Sequence, residues 1–284
     1  MTEIQEDFYS DGVIPLRDRE FRLISALVYD RFGVHLTEKK KALVNGRLNS
    51  FIRAQGFTSF EDYYNAVVHD PTGSDLLSLI DRISTNHSFF FREADHFDTL
   101  TKSVLPEMCR RLRGQGANNL LFWCAGCAAG EEPYTVGMVL REFFGLELHK
   151  WDIGILATDI SMSSLLSATS GTYPAHRLET VPAKYRKYFK KLGTDSYAVD
   201  ERIKDMVLFK QLNLMRRTFP FKKGFHVIFC RNVMIYFDRE TKTNLTGKLY
   251  QSLLEGGYLF IGHSESLTSV ESKLKYIQPT VYKK

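Results

Sequence analysis

At 284 residues, with 44% hydrophobic and 25% charged residues, the chain has the composition of a soluble globular protein with one large domain or two smaller ones. It has no run of about 18 apolar residues, so no helical membrane span is expected, and its acidic start, Met1-Thr-Glu-Ile-Gln-Glu-Asp7, lacks the apolar core of a signal peptide. A net charge of +5 permits an acidic partner without demanding nucleic acid, and Cys109, Cys124, Cys127 and Cys230 form no regular framework, as expected of a reduced, cytoplasmic protein.

Residues 17–69 have helical spacing. Phe21, Ile24, Leu27, Val28 and Phe32 define a first helix that Gly33 stops. Thr37 as N-cap and Gly56 as stop bracket a second. Phe60 to Val68 form a third helix, ended by Asp70-Pro71, and Leu76 to Ile83 a fourth. No strand-like alternation precedes about residue 118. Residues 1–82 therefore read as a small all-helical domain, followed by a second domain over 83–284. At about 100° per residue, Lys39, Lys40, Arg47 and Arg53 share one arc of the second helix, away from Val44, Leu48, Phe51 and Ile52. Such an arc is either solvated surface or a docking face for an acidic helix.

A polar-aromatic junction, Ser84-Thr-Asn-His-Ser-Phe-Phe-Phe-Arg-Glu93, leads into a helix over 94–112. Strands and helices then alternate: strand 120–124, helix 132–144, strand 152–158, helix 162–169, strand 225–230, helix 239–254 and strand 257–262, with a final strand within Lys275 to Lys284. That order implies an α/β fold with a mostly parallel sheet and helices on both faces. Residues 172–212 interrupt the rhythm. They contain a basic helix (Ala183 to Lys191) and two strand-like runs (Tyr197–Val199 and Met206–Gln211), and read as an inserted small antiparallel subdomain.

Three strand ends carry chemistry. Phe225-His-Val-Ile-Phe-Cys-Arg-Asn-Val-Met-Ile-Tyr236 is a buried-strand run that stops on Arg231 and Asn232. Leu121-Phe-Trp-Cys-Ala-Gly-Cys-Ala-Ala-Gly-Glu-Glu-Pro-Tyr134 runs through a loop of small residues into a helix. Ile153-Gly-Ile-Leu-Ala-Thr-Asp159 ends on a carboxylate. In open α/β sheets, ligands bind beyond the carboxyl ends of strands, so these three ends outline a nucleotide-type pocket.

The small-residue loop Ala125–Gly130 lets backbone N–H groups approach a ligand, but it serves equally as a tight strand-to-helix turn. Glu131 and Glu132 would repel a phosphate at that helix start, so the loop suits a cationic or zwitterionic ligand, such as the amino acid part of S-adenosylmethionine. Asp159 is placed to accept both ribose hydroxyls or to cap the next helix, a task Ser161 could also perform. Asn213 is placed to read an adenine edge or to form a turn. Cys124-x-x-Cys127 has no second pair to complete a zinc site, so no metal is expected. His263 follows a strand and reads as structural.

Taken together, the segments resemble the CheR-type chemotaxis receptor methyltransferases over nearly the whole chain. The resemblance rests on Phe89-Phe-Phe-Arg-Glu93, Gly130-Glu-Glu-Pro-Tyr134, Ala157-Thr-Asp159, Ile228-Phe-Cys-Arg-Asn-Val-Met-Ile-Tyr-Phe237 and Gly262-His-Ser-Glu265. Phe32-Gly-Val-His-Leu-Thr-Glu-Lys-Lys-Lys41 and Arg47-Leu48 extend it into the helical region. It implies a Rossmann-like S-adenosylmethionine-dependent methyltransferase domain behind a helical receptor-docking domain. The implied activity transfers a methyl group to glutamate side chains on the cytoplasmic helices of chemoreceptors, leaving S-adenosylhomocysteine.

The resemblance also implies cofactor neighbours: Asn86, Ser88, Arg92, Glu131, Asp159, Asn213, Leu214, Arg231 and Asn232. Ser88 stands where the family often has Thr. Tyr236 matches a tyrosine near the transferred methyl, and with Arg92 it makes the catalytic pair; whether Arg92 holds the cofactor's or the substrate's carboxylate stays open. Some family members grip a receptor C-terminal peptide through a Gly-rich loop in the insertion. Here Lys190-Lys-Leu-Gly-Thr-Asp-Ser-Tyr197 has a single Gly, so dependence on that peptide is not expected. The alternative is an S-adenosylmethionine-dependent enzyme for another protein or a small molecule; a sensor that binds the cofactor without transfer fits Arg92 and Tyr236 less well.

Overall fold

The computed structural model describes residues 12–268 and 270–284 and divides the chain between Ser84 and Thr85 into two units. The acidic stretch at 1–7 lies outside the described residues.

The first unit is helical. Helix α1 (Asp18–Phe32) starts where the Glu20 carboxylate accepts the Arg17 backbone N–H at 2.7 Å. It stops at Gly33, whose φ of 69° is a left-handed conformation that glycine adopts without strain. Next come α2 (Lys41–Ala54), α3 (Phe60–His69), capped by the Ser59 hydroxyl, and α4 (Ser74–Ile83). Phe21, Ile24, Val28, Val44, Leu48, Ile52, Phe60 and Leu79 are buried among them. The continuous helix expected from Thr37 is instead a 3₁₀ turn, Glu38–Lys40, ahead of α2, and Thr37 makes no side-chain cap. Phe51, expected in the core, is half-buried, with the Arg82 guanidinium 3.7 Å above its ring.

The second unit begins with α5 (Ala94–Thr99) and α6 (Leu105–Gly114), joined by a π-helical turn at Leu100–Val104 just ahead of Pro106, which has no N–H for the ladder. Strands β1 (Asn119–Ala125) and β2 (Asp152–Asp159) flank α7 (Glu131–Phe144), and α8 (Met162–Ser170) follows β2. The insertion holds β3 (Thr172–Pro174), β4 (Phe189–Leu192) and β5 (Ser196–Val199) in a separate antiparallel sheet ordered β3-β5-β4. After α9 (Glu201–Lys204) come β6 (Val207–Gln211), β7 (Phe225–Cys230), α10 (Arg239–Ser252), β8 (Leu253–Ile261), β9 (Lys275–Gln278) and β10 (Val281–Lys283). The main sheet is ordered β6-β2-β1-β7-β8-β10-β9, parallel from β6 to β8 and antiparallel at β10 and β9.

Three expectations are corrected here. Residues 206–211 do not belong to the inserted subdomain: β6 pairs parallel with β2, Ile155 opposite Val207 through Asp159 opposite Gln211. As an edge strand it exposes alternate residues, and this period-two pattern resembles an antiparallel strand. The basic helix of 183–191 is a 3₁₀ turn, Ala183–Tyr188, running into β4; Tyr185 and Tyr188, three apart, are its buried residues. The final strand is a hairpin of β9 and β10, with Thr280 in the left-handed region.

The sheet order fixes the site. From β1 the chain moves outward through β2 to β6, then returns to β7 on the other side of β1. The crevice between β1 and β7, where the order reverses, is the binding position of such sheets. The carboxyl ends there are Ala125, Asp159, Gln211, Cys230 and Ile261.

Candidate active site

The loop after β1 is pinned at successive points. Gly126 and Cys127 donate to the Thr158 carbonyl at 2.7 and 3.0 Å, and the Ala128 N–H donates to Asp159 Oδ2 at 2.8 Å. A Cβ on Gly126 would lie 2.3 Å from Val233 Cγ2, and one on Gly130 would lie 2.9 Å from Ala168 Cβ and 3.0 Å from the Tyr173 hydroxyl oxygen. Both glycines also have positive φ, 83° and 94°. Small residues are thus required by the turn itself, which leaves the loop's backbone close to the crevice.

Glu131 opens α7 almost fully buried. Its Oε1 lies 3.3 Å from Arg177, and Arg177 also donates to the Ser88 carbonyl at 2.7 Å. Its Oε2 is buried with no hydrogen bond of normal geometry. Burial pushes the carboxyl up, against the pull of Arg177 and of the Ser88 hydroxyl. A buried carboxylate oxygen left over in this way is costly unless a donor arrives, and an ammonium group fits it.

Asp159, also buried, accepts the Ala128 N–H on one oxygen and the Ser161 N–H, at 2.9 Å, on the other. These two backbone bonds fix the orientation of the carboxylate. The cap of α8 is the Ser161 hydroxyl, which accepts the Ser164 N–H at 3.1 Å and also the Asn86 side-chain amide at 3.2 Å. Asn86 and Asp159, far apart in sequence, thus converge on Ser161. Asn213 follows β6, its Oδ1 accepting the Met215 N–H at 2.8 Å in a local turn. The Lys248 ammonium donates to the carbonyls of Leu214 and Arg216, fixing that backbone.

On the other side of the crevice, Arg231 departs from expectation. Its side chain is 2% exposed and turned inward. It reaches Glu93 at 3.0 and 3.2 Å, Glu132 at 3.2 Å and the Arg92 carbonyl. The guanidinium is spent on the protein, so any ligand contact would come from its backbone. Asn232 stands at φ 58°; its N–H donates to Glu265 at 2.9 Å and its side-chain amide to Glu93 at 3.2 Å. Glu265 also accepts N–H groups of Gly262 and, at 3.2 Å, Ile235, which fixes the 3₁₀ turn Met234–Tyr236 and with it Tyr236. Arg92 is half-buried; it donates to the His87 carbonyl at 2.9 Å and lies over the Phe89 ring.

Glu93, His96 and His263 place ligand atoms near one another. Arg231 already shares the Glu93 carboxylate there, and a second cation beside it is disfavoured. Cys124, Cys127 and Cys230 are buried, and burial pushes their thiols well up; neither Cys124 nor Cys127 joins a cluster suited to a metal among the described residues.

In the helical unit, the predicted basic arc separates. Lys39 and Arg53 are exposed and Lys40 is half-buried, with Lys39 and Lys40 in the 3₁₀ turn rather than on α2. Arg47 is not a surface cation: it donates to the carbonyls of Ile83 and Ser84 at the end of α4.

Sequence reasoning did not single out Arg177, Tyr173, Glu93 or Glu265. The last two sit inside informative motifs but look like surface charges until the fold closes around them. Arg177 lies 46 residues from Glu131, with no periodic pattern linking the two.

Comparison with known proteins bears on the same regions. Residues 86–283 match the family model "CheR methyltransferase, SAM binding domain", and residues 19–84 match "CheR methyltransferase, all-alpha domain". The chain is similar to a chemotaxis protein methyltransferase of Borreliella burgdorferi, 44% identical over 94% of each chain. It is also similar to a probable chemotaxis protein methyltransferase of Rhizobium etli, 37% identical over 85% of this chain and 90% of that one. A chemotaxis protein methyltransferase of Escherichia coli is 33% identical over 95% of this chain and 92% of that one.

Proposed function

The chain belongs to the CheR methyltransferase family, and from that premise we propose that it esterifies glutamate side chains on the cytoplasmic helices of chemoreceptors. Its second unit is a domain that binds S-adenosylmethionine. The observation that carries the reading to this chain's own residues is the buried, unpartnered Oε2 of Glu131. It suits the cofactor's ammonium, while Asp159 suits the ribose hydroxyls and the turn at Asn213 and Leu214 suits the adenine edge. Asn86 and Ser88 support these groups from the junction segment.

When bound, the cofactor would supply an electrophilic sulfonium methyl, whose carbon passes to the glutamate oxygen as its bond to sulfur breaks and a neutral thioether is left behind. A glutamate carboxylate is already ionised, so this chain's residues move no proton. Their work is alignment, which contributes most where a nucleophile and an electrophilic carbon must meet in line. Tyr236 and Asn232 stand at the end of β7 to orient the attacking oxygen, and Arg92 holds a carboxylate beside them. Arg231 serves by positioning, not by contact through its guanidinium.

The helical unit, residues 1–82 in the functional division, docks the acidic receptor helices through Lys39, Lys40 and Arg53. The catalytic domain is 83–284, and the enzyme works in the cytoplasm, where those helices lie. Recognition does not depend on a receptor C-terminal peptide. The turn of the β4–β5 hairpin has one glycine, Gly193, and edge strand β4 carries exposed Lys190 and Lys191, which blunt an edge against strand addition. Titration with receptor tail peptides should give no micromolar binding.

The test of the main reading is incubation with methyl-labelled S-adenosylmethionine and receptor cytoplasmic fragments. Label should enter the fragments and leave as methanol in mild alkali. Label that resists alkali, or a fragment labelled equally well after its acceptor glutamates are changed to alanine, would show a different acceptor chemistry.

A further inference from the structure

Glu93 has no assigned role, yet four hydrogen bonds converge on its carboxylate. Its carboxylate accepts Arg231 Nε and Nη2 at 3.2 and 3.0 Å, Asn232 Nδ2 at 3.2 Å and the His263 N–H at 3.1 Å. His96 Nδ1, buried and otherwise unpartnered, lies 3.5 Å away. The hydrogen-bond donors come from two segments remote in sequence, the end of β7 and the loop after β8, while His96 lies three residues on in α5. Glu93 itself adopts φ 55°, a left-handed conformation that a non-glycine residue keeps only where its surroundings enforce it. Burial works to raise this carboxyl, but Arg231, the His263 N–H and Asn232 outweigh it and hold it below the usual glutamate range.

From this convergence we propose that Glu93 is a positioning residue for methyl transfer, the carboxylate that locks Arg92 and Asn232 into one rigid frame around the acceptor. Arg92 precedes it directly, and the Arg92 carbonyl accepts from the same Arg231 nitrogen that binds Glu93. Asn232 is fixed twice: its backbone by Glu265 and its side chain by Glu93. The half of the crevice assigned to the cofactor's ammonium and ribose, Glu131 and Asp159, is held by Arg177, Ala128 and Ser161 rather than by Glu93, and Arg231 keeps its own bond to neighbouring Glu132. Loss of Glu93 therefore loosens the acceptor side and leaves cofactor binding intact. This inference rests on the proposed roles of Arg92, Asn232 and Tyr236.

The experiment compares the full-length wild type with Glu93→Gln, which keeps the size but faces Arg231 with a neutral amide. The expected result is an S-adenosylhomocysteine dissociation constant within about threefold of wild type and a kcat lowered about a hundredfold, the scale of a 1 Å misplacement. The KM for receptor fragments should change little. Combining Glu93→Gln with Arg231→Met should cost no more than the worse single change, because the two act as one unit. Amide hydrogen exchange gives a readout independent of the acceptor. Segments 87–92, 231–236 and 262–265 should exchange faster in Glu93→Gln, while 126–131 and 159–161 stay protected.

Unchanged kcat, cofactor affinity falling in parallel with kcat, or multiplicative losses in the double variant would overturn the proposal. So would exchange that rises over the whole unit alike. If Glu93→Gln does not fold, Asn232→Asp, which tolerates the left-handed backbone and replaces the donor to Glu93 Oε1 with a carboxylate, should raise exchange in 87–92; no rise there overturns it equally. A wild type that esterifies no receptor would refute the proposed function, while the exchange pattern would still decide the role of Glu93.

Discussion

Replacing Glu131 with glutamine separates a ligand-binding carboxylate from a structural one. In the free protein Oε1 is held by Arg177 and Oε2 is buried without a hydrogen bond. Glutamine will turn its oxygen toward Arg177, which leaves its NH₂ where Oε2 stood. That group is a donor facing the cofactor's ammonium, also a donor. One charge-assisted bond is lost, about 1.5–3 kcal/mol, so S-adenosylhomocysteine should bind about 10- to 150-fold more weakly by calorimetry. The stability of the free protein should move the other way. Its carboxyl is raised by burial, so the ionised form destabilises the fold above the usual glutamate pKa, and the neutral amide removes that cost. The free variant should melt no lower than wild type at pH 7. A cofactor analogue lacking the α-amino group supplies the closing arm: it should bind wild type and variant equally. Affinity for S-adenosylhomocysteine unchanged in Glu131→Gln, or an equal loss for the deaminated analogue, would refute the placement of the ammonium.

Further outcomes follow from other parts of the chain. Reversing Lys39 and Arg53 to Glu should raise the KM for receptor fragments and leave cofactor affinity alone, with rising salt weakening the wild type in the same direction; exposed charges are screened within about 8–10 Å at physiological salt. Arg47→Ala should instead destabilise the helical unit by about 1–2 kcal/mol, read by thermal or urea unfolding, through the Ile83 and Ser84 carbonyls it leaves bare. Burial holds His96 and His226 at pKa values of about 4, below the 6.5 of an unfolded chain. Between those values the unfolded state binds more protons, so stability is full above pH 6.5 and falls as pH drops toward 4, by about 3 kcal/mol per histidine at most. Urea midpoints at pH 7.5 and 5 measure this. Because His226 Nδ1 accepts the Leu121 N–H at 3.1 Å, His226→Gln, which keeps an acceptor but does not titrate, should flatten the profile.

What the sequence determined by itself is what local physics encodes. The helical and strand periods, the stop at Gly33, the cap at Ser161 and the run into Asp159 each depend on neighbours a few residues away, and each appears where the pattern places it. The motifs at 89–93, 130–134 and 228–237 likewise located the crevice, because strand ends at a reversal of sheet order must carry the ligand groups. Tertiary structure alone decided where the charges go. Arg231 and Arg47 look like ligand-facing cations in sequence; one is enclosed by Glu93 and Glu132, and the other closes the end of α4. Val207–Gln211 alternates like an antiparallel strand and becomes a parallel edge of the main sheet, since its period reports which face is wet and not which strand lies beside it. A buried ion is tolerable only where its partners meet it, and those partners, such as Glu93 and Arg231 at 138 residues' separation, are chosen by the fold.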